Sequence, residues 1–178
     1  MTEKEIRGLA DALHDAAVTK GFWSVDNAKD KHVAKWRGEL GEVIQADRMG
    51  MMYEVERDGA KPEGVAAELA DFVMMALDLF IVMDLDDDEY GIIARALDIQ
   101  DDEDHRIDKL PTEVLVNSLY AAAGNVIRVH DDEIKYGPVT CVCWPEAWLK
   151  ARGYDLWELI REKMAYNESR PKLHGMAY

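Results

Sequence analysis

The hydrophobic pattern of this chain is dominated by the run from Val65 to Met83, which is apolar on every face of the helix it predicts and yet carries Glu68, Asp71 and Asp78. A helix that is hydrophobic all round is a buried helix, and a buried ionised carboxylate costs several kcal/mol unless a cation or dense hydrogen bonding compensates it. At about 100° per residue, Asp71 falls near −60° and Asp78 near −80° from Glu68, so the acids form one stripe. Upstream, Val33, Trp36, Leu40, Val43, Ile44 and Asp47 share one arc of another predicted helix, with Glu39 and Glu42 at its border beside His32 and Lys35. Solvated surface is the ordinary fate of a Glu-x-x-Glu pair. The acids of the apolar helix weaken that reading, because two helices that each offer carboxylates three residues apart can converge four hard oxygen ligands suited to Mg²⁺ or Mn²⁺.

The remaining pattern is also helical. Ile6, Leu9, Leu13, Ala16 and Ala17 predict a first helix that stops at Gly21, followed by a Phe22-Trp23 loop. Asp26 or Asn27 caps the second helix, which is expected to run to about Arg57, and Pro62 suits the first turn of the third. The burst from Asp84 to Gly91 lacks the glycine and the bidentate glutamate of a calcium loop, with Glu89 and Arg95 in their places, and reads as a solvated acidic loop. Residues 84 to 110 are weakly periodic and predict a short helix within a mobile connection. Thr112 opens and caps a helix with Val114, Leu115, Leu119, Ala122, Ala123, Val126 and Ile127 on its core side, and Gly137 to Pro145 reads as a short extended piece. A last helix starts near Asp155 and ends about Glu168. Trp144, Trp148 and Trp157 read as core or interface anchors. With almost no alternating strand pattern, the fold class is all-α, a helical bundle in a single domain over residues 1–178.

Composition narrows the function. A formal net charge of −15 argues against a duplex-DNA surface, so no nucleic-acid partner is expected. Acids within the apolar run would each cost roughly 2.5 to 3.5 kcal/mol at the centre of a bilayer, so no membrane span is expected either. Cys141 and Cys143 are too close for a disulfide framework and read as reduced thiols of a cytoplasmic protein, with a metal role alongside His130 as the lesser reading. From Lys163 onward the charge reverses: Lys163 and Asn167 are four apart on one helix face, and Arg170 follows as Pro171 stops the helix. Phosphates want such donors, although a tail that only balances an acidic body is the commoner case.

Taken together, Glu39-Leu-Gly-Glu42, Glu68-Leu-Ala-Asp71 and the tail Lys163, Asn167, Arg170-Pro171, His174-Gly175 resemble the MazG-like all-α nucleoside triphosphate pyrophosphatases, including phage-type members. The resemblance covers about residues 20 to 80 and 153 to 176. It departs in the longer connection between them, an inserted acidic and helical segment at about residues 81 to 152.

The resemblance implies hydrolysis of a nucleoside triphosphate to the monophosphate and pyrophosphate by water attack at the α-phosphorus. The substrate expected is a deoxynucleotide, with a purine such as dGTP placed first and no residue deciding the base. It implies Mg²⁺ or Mn²⁺, two or three ions per site, on Glu39, Glu42, Glu68 and Asp71, with Glu39 and Glu42 catalytic and Glu42 the proton acceptor. Lys163 and Arg170 would meet the phosphates, and Asn167 sugar, phosphate or base. Asp78 is read as accepting from a base edge or ribose hydroxyl, or holding a further metal, against a buried salt bridge. Phe22, Trp23 and Trp36 are candidates for stacking on a base, against ordinary packing, and Lys35 pairs with the acids or touches substrate. The family assembles as dimers and tetramers. The apolar helix looks too hydrophobic for one subunit to cover, so a homo-oligomer is expected, a tetramer before a dimer. The competing readings are a non-catalytic acidic helical interaction protein on the same fold, using Met74, Met75 and Met83 as a partner surface, and a di-iron carboxylate protein, which lacks the Glu-x-x-His pairs it needs.

Overall fold

The structure is a computed structural model that describes residues 1–24, 28–55, 60–100, 107–127 and 136–170. Seven α-helices are packed together among these residues: α1 (Glu3–Thr19), α2 (Ala28–Arg48), α3 (Val65–Val82), α4 (Asp87–Gln100), α5 (Thr112–Ile127), α6 (Tyr136–Lys150) and α7 (Leu156–Glu168). An isolated antiparallel bridge, Glu54 to Glu63, is the only β pairing among the described residues. The all-α expectation holds. Among the described residues no helix is long and apolar enough to cross a membrane.

The apolar helix α3 is the central rod. It packs against α1, α2, α6 and α7, and its Leu69, Phe72, Val73, Leu77, Leu79 and Phe80 side chains are fully buried within the one chain. Most of α3 is thus covered within one chain, with Met75, Ile81 and Val82 half-buried. Its start is set by backbone chemistry. Gly64 adopts φ +103°, and a Cβ there would lie 2.9 Å from the Met52 carbonyl, so only glycine fits. That close approach lets the first helical N–H groups, of Val65 and Ala66, donate to the carbonyls of Met51 and Met52 in place of a side-chain cap. Pro62 lies outside α3, so the expectation of a first-turn proline is corrected.

Helix α2 is shorter than its pattern suggests. It ends at Arg48, where Gly50 at φ +69° lets the Gly50 and Met51 N–H groups turn back onto Asp47 and Ala46, the left-handed stop that glycine favours. The chain that follows is needed extended to cap α3. The proposed caps Asp26 and Asn27 lie outside the described residues, as do His130 and the Pro171, His174 and Gly175 part of the tail.

The segment expected to be loop and insertion belongs to the core. Asp86 and Glu89 form a reciprocal capping box, with each backbone N–H 2.9 Å from the other's carboxylate, and the acidic run becomes the first turn of α4, where negative charge suits the helix dipole. Tyr90, Ile93, Ala94 and Leu97 are then buried, and α4 packs on α1 and α6. Gly137 to Pro145 is helical, not extended. Cys141, Val142, Cys143, Trp148 and Leu149 are all buried along α6, and that burial outweighs the β-branched residues and the interior Pro145. Both cysteines are free. Thr112 opens α5 but does not cap it, since its hydroxyl donates to Asp47 at 2.7 Å and ties α5 to the end of α2. Asp155 does cap α7, accepting from Trp157 and Glu158.

Candidate functional site

A cavity of about 310 Å³ opens between α1, α2, α3 and α7, within the size range of small-molecule sites. At one end stand Glu39 and Glu42 of α2, Asp71 of α3 and two lysines, Lys61 and Lys163. The middle is apolar, with Leu13, Phe22, Met74, Met75 and Met164. His32 and Asp78 close the far end, and Asn167 and Arg170 contribute from the end of α7. Glu39, Glu42 and Asp71 thus share one concave surface with Lys163, Asn167 and Arg170 from the far end of the chain, while Glu68 is not among its lining residues.

Three carboxylates converge as α2 and α3 cross. Glu39, Glu42 and Glu68 each offer an oxygen within 4.8 Å of the others. Glu39 and Glu68 are buried at 6% and 5% exposure, while Glu42 is exposed. Oε2 of Glu68 is buried with no hydrogen-bond partner among the described residues, an arrangement that costs free energy unless something else meets the oxygen. Burial, and then the negative charges of Asp71 and Glu42, push the Glu39 carboxyl up to about 8. Burial likewise raises Glu68, against the pull of Lys163. The donor set is oxygen only, crowded and charge-repelled, and it fits a hard divalent cation.

Asp71 is placed differently from the expectation. Its Oδ2 lies 2.6 Å from Nζ of Lys163, so the fourth expected ligand is held by the residue expected to meet the phosphates. Lys163 is 2% exposed and also donates to the Pro62 carbonyl at 3.2 Å. Lys61, which the sequence did not single out, lies 3.7 Å from Oε1 of Glu68. Lys35 sits with its ammonium 5.3 Å from the Phe22 ring centroid and lowers the Glu39 carboxyl, the smaller effect against burial. Arg170 lies over the Tyr166 ring at 5.6 Å, and Lys20 donates to the backbone carbonyls of Glu168 and Arg170, anchoring the end of α7 to α1.

At the far end, Asp78 is 3% exposed and surrounded by donors. His14 Nδ1 is 2.7 Å from Oδ1 and Trp23 Nε1 is 3.2 Å from both oxygens, while His32 Nε2, 3.0 Å from Oδ2, is within ion-pair distance but makes no hydrogen bond among the described residues. The Trp23 ring stacks on His32 at 4.6 Å. A carboxylate so engaged orients its neighbours, the arrangement of the buried ion-pair reading that was weighed against a substrate contact. Trp23 supports His32, which lines the cavity. Trp36 is core, with 0% exposure, its ring stacked on Phe72 at 5.2 Å and its N–H donated to the Phe72 carbonyl at 2.9 Å, so it is not placed to stack on a ligand. Met74 and Met75 line the cavity, and the half-buried Met83 packs against the core.

His14 was missed because nothing local marks it; its partner is sixty-four positions away. His32 was visible as a neighbour of the Glu39 face, but not as a partner of Asp78. No family model, curated protein or solved structure matches this chain.

Proposed function

We propose that this chain is a MazG-like nucleoside triphosphate pyrophosphatase that depends on Mg²⁺ or Mn²⁺ and converts a deoxynucleoside triphosphate to its monophosphate and pyrophosphate. The observation that carries the reading is the cavity itself. Glu39, Glu42, Asp71, Lys163, Asn167 and Arg170 share its wall, and the Glu68 oxygen without a partner lies in the adjoining carboxylate cluster. The carboxylates suit divalent ions, and the basic residues suit phosphates. When bound, such ions neutralise the triphosphate and make a water nucleophilic near neutral pH.

The remaining work falls to the chain's own side chains. Glu39 and Glu68, buried and rigid on two crossing helices, fix the cation end. Glu42, the exposed member, is the residue free to take the proton of the attacking water. Arg170 and Asn167 stabilise the negative charge of the departing pyrophosphate. The apolar middle of the cavity, with Phe22, Met74 and Met75, receives the nucleoside and excludes water from it. Assembly into dimers or tetramers is carried by the family resemblance alone.

The test is pyrophosphate release from the common ribo- and deoxynucleoside triphosphates and dUTP, with Mg²⁺ or Mn²⁺, for wild type and Glu39→Gln. Metal-dependent release abolished by the substitution supports the proposal and names the base. Silence across the panel sinks it for common nucleotides and turns attention to the non-catalytic reading.

A further inference from the structure

The candidate metal site already has cations, and the chain supplies them. Lys163 reaches in from α7 to lie 2.6 Å from Asp71, and Lys61 comes from the segment before α3 to lie 3.7 Å from Glu68. The two ammonium groups face four carboxylates, Glu39, Glu42, Glu68 and Asp71, so the cluster stays negative with both lysines in place. A buried oxygen of Glu68 still has no partner among the described residues. One divalent ion between Glu39, Glu42 and Glu68, with Asp71 one turn along α3, would neutralise the cluster better than either lysine can.

Lys163 cannot serve Asp71 and an incoming phosphate equally. Its ammonium is ion-paired with Asp71 at 2.6 Å and donates to the Pro62 carbonyl at 3.2 Å, which fixes where it points. The flexible four-carbon stem allows the ammonium to be re-aimed without moving α7, and Asn167 and Arg170 line the same cavity. Resting on the metal-site reading above, we infer that Lys163 and Lys61 are resident stand-in cations that a divalent ion displaces, and that the Lys163 ammonium so released completes a phosphate-binding subsite with Asn167 and Arg170. The anion subsite is therefore gated by the metal. Without it Lys163 is held against Asp71; with it the negative charge of the cluster is offset and the ammonium is released. This ordering keeps a polyanion from binding where the cation needed for its chemistry is missing.

The experiment follows the lysine ammonium and Asn167 side-chain amide resonances of the ¹⁵N-labelled full chain during a Mg²⁺ titration, then measures Mn²⁺ affinity by electron paramagnetic resonance. The Lys163 ammonium signal is expected to shift or vanish as Mg²⁺ binds. Inorganic phosphate should move the Asn167 amide with Mg²⁺ present and leave it unchanged without. Lys163→Met and Lys61→Met should each bind Mn²⁺ more tightly than wild type, by about five-fold. Lys61 is partly exposed, so Lys61→Met reads the competition even should the buried Lys163→Met fail to fold. Wild-type metal binding with an unmoved Lys163 signal and no tightening in either variant overturns the hand-over and leaves the metal site standing. Phosphate binding without metal overturns the gating. Absence of Mn²⁺ binding in wild type and both variants overturns the metal site as well.

Discussion

The two ends of the acidic stripe on α3 carry the same chemistry into opposite situations. Asp78 at one end collects His14, Trp23 and His32 around its two oxygens. Glu68 and Asp71 at the other end face further carboxylates, are held by lysines at 3.7 and 2.6 Å, and leave one buried oxygen without a hydrogen bond among the described residues. Both ends are buried in the same helix, so burial alone separates nothing. What differs is what faces them: Asp78 meets the donors of His14 and Trp23, whereas the charge of Glu68 meets that of Asp71 and Glu42. A carboxylate whose lone pairs are met by fixed donors stabilises the fold, whereas carboxylates crowded against one another lower stability unless a ligand arrives. The first end has the make-up of a brace, and the second of a group that could hold a cation.

The largest effects should come from exchanging one kind of loss for the other. Glu68→Gln is expected to cut metal-dependent pyrophosphate release by about 10²-fold or more, with the urea midpoint unchanged or raised. Asp78→Ala should instead cost about 3 kcal/mol of stability and retain Mn²⁺ binding in whatever fraction is folded. Urea denaturation and Mn²⁺ titration of the two variants side by side would break the comparison if both lost the same property.

A pH series sharpens the same contrast. Glu39 titrates near 8 in the fold against an ordinary 4.5, so between those values the folded chain binds more protons than the unfolded one. Stability must then fall as pH rises through this window, because ionising Glu39 is easier in the unfolded chain. The wild type, without added metal, should lose about 5 °C in Tm between pH 5.5 and 8.5 beyond any change in Glu39→Gln. Saturating Mg²⁺ should abolish that difference, since the cation welcomes the ionised carboxylate. Parallel thermal melts of the two proteins at both pH values provide the check, and identical slopes would show that Glu39 is not the strained group.

The smallest effect belongs to the brace. Trp23→Phe removes one donor to Asp78 while the two histidines remain, and should cost about 1 kcal/mol. A loss of several kcal/mol in urea denaturation would mean that Trp23, and not the histidines, carries the Asp78 end.

Much of this was legible before any coordinates. The apolar rod with its acidic stripe follows from periodicity alone, since residues three and four apart must share a helix face. Glu39, Glu42, Glu68 and Asp155 could be singled out for the same local reason. Helix α6 could not be: Pro145, the cysteines and the β-branched residues around them speak locally for an extended chain, and only packing against α3, α4 and α5 makes the helix the better answer. The end of α2 at Arg48 was obscured because the stop, Gly50, lies within a run of helix-favouring residues, and the need to extend there comes from Gly64 and the start of α3.

The chain's own letters thus determined that there are helices, which face of each is apolar, and that carboxylates lie on two of those faces. The tertiary structure decided the partners. It gave Asp71 a lysine from α7, gave Asp78 two histidines from α1 and α2, and covered most of α3 within a single chain. The physical reason is one of range: helical periodicity is set within a few residues, whereas the charge or donor that meets a buried carboxylate is chosen by elements that close over it from tens of positions away.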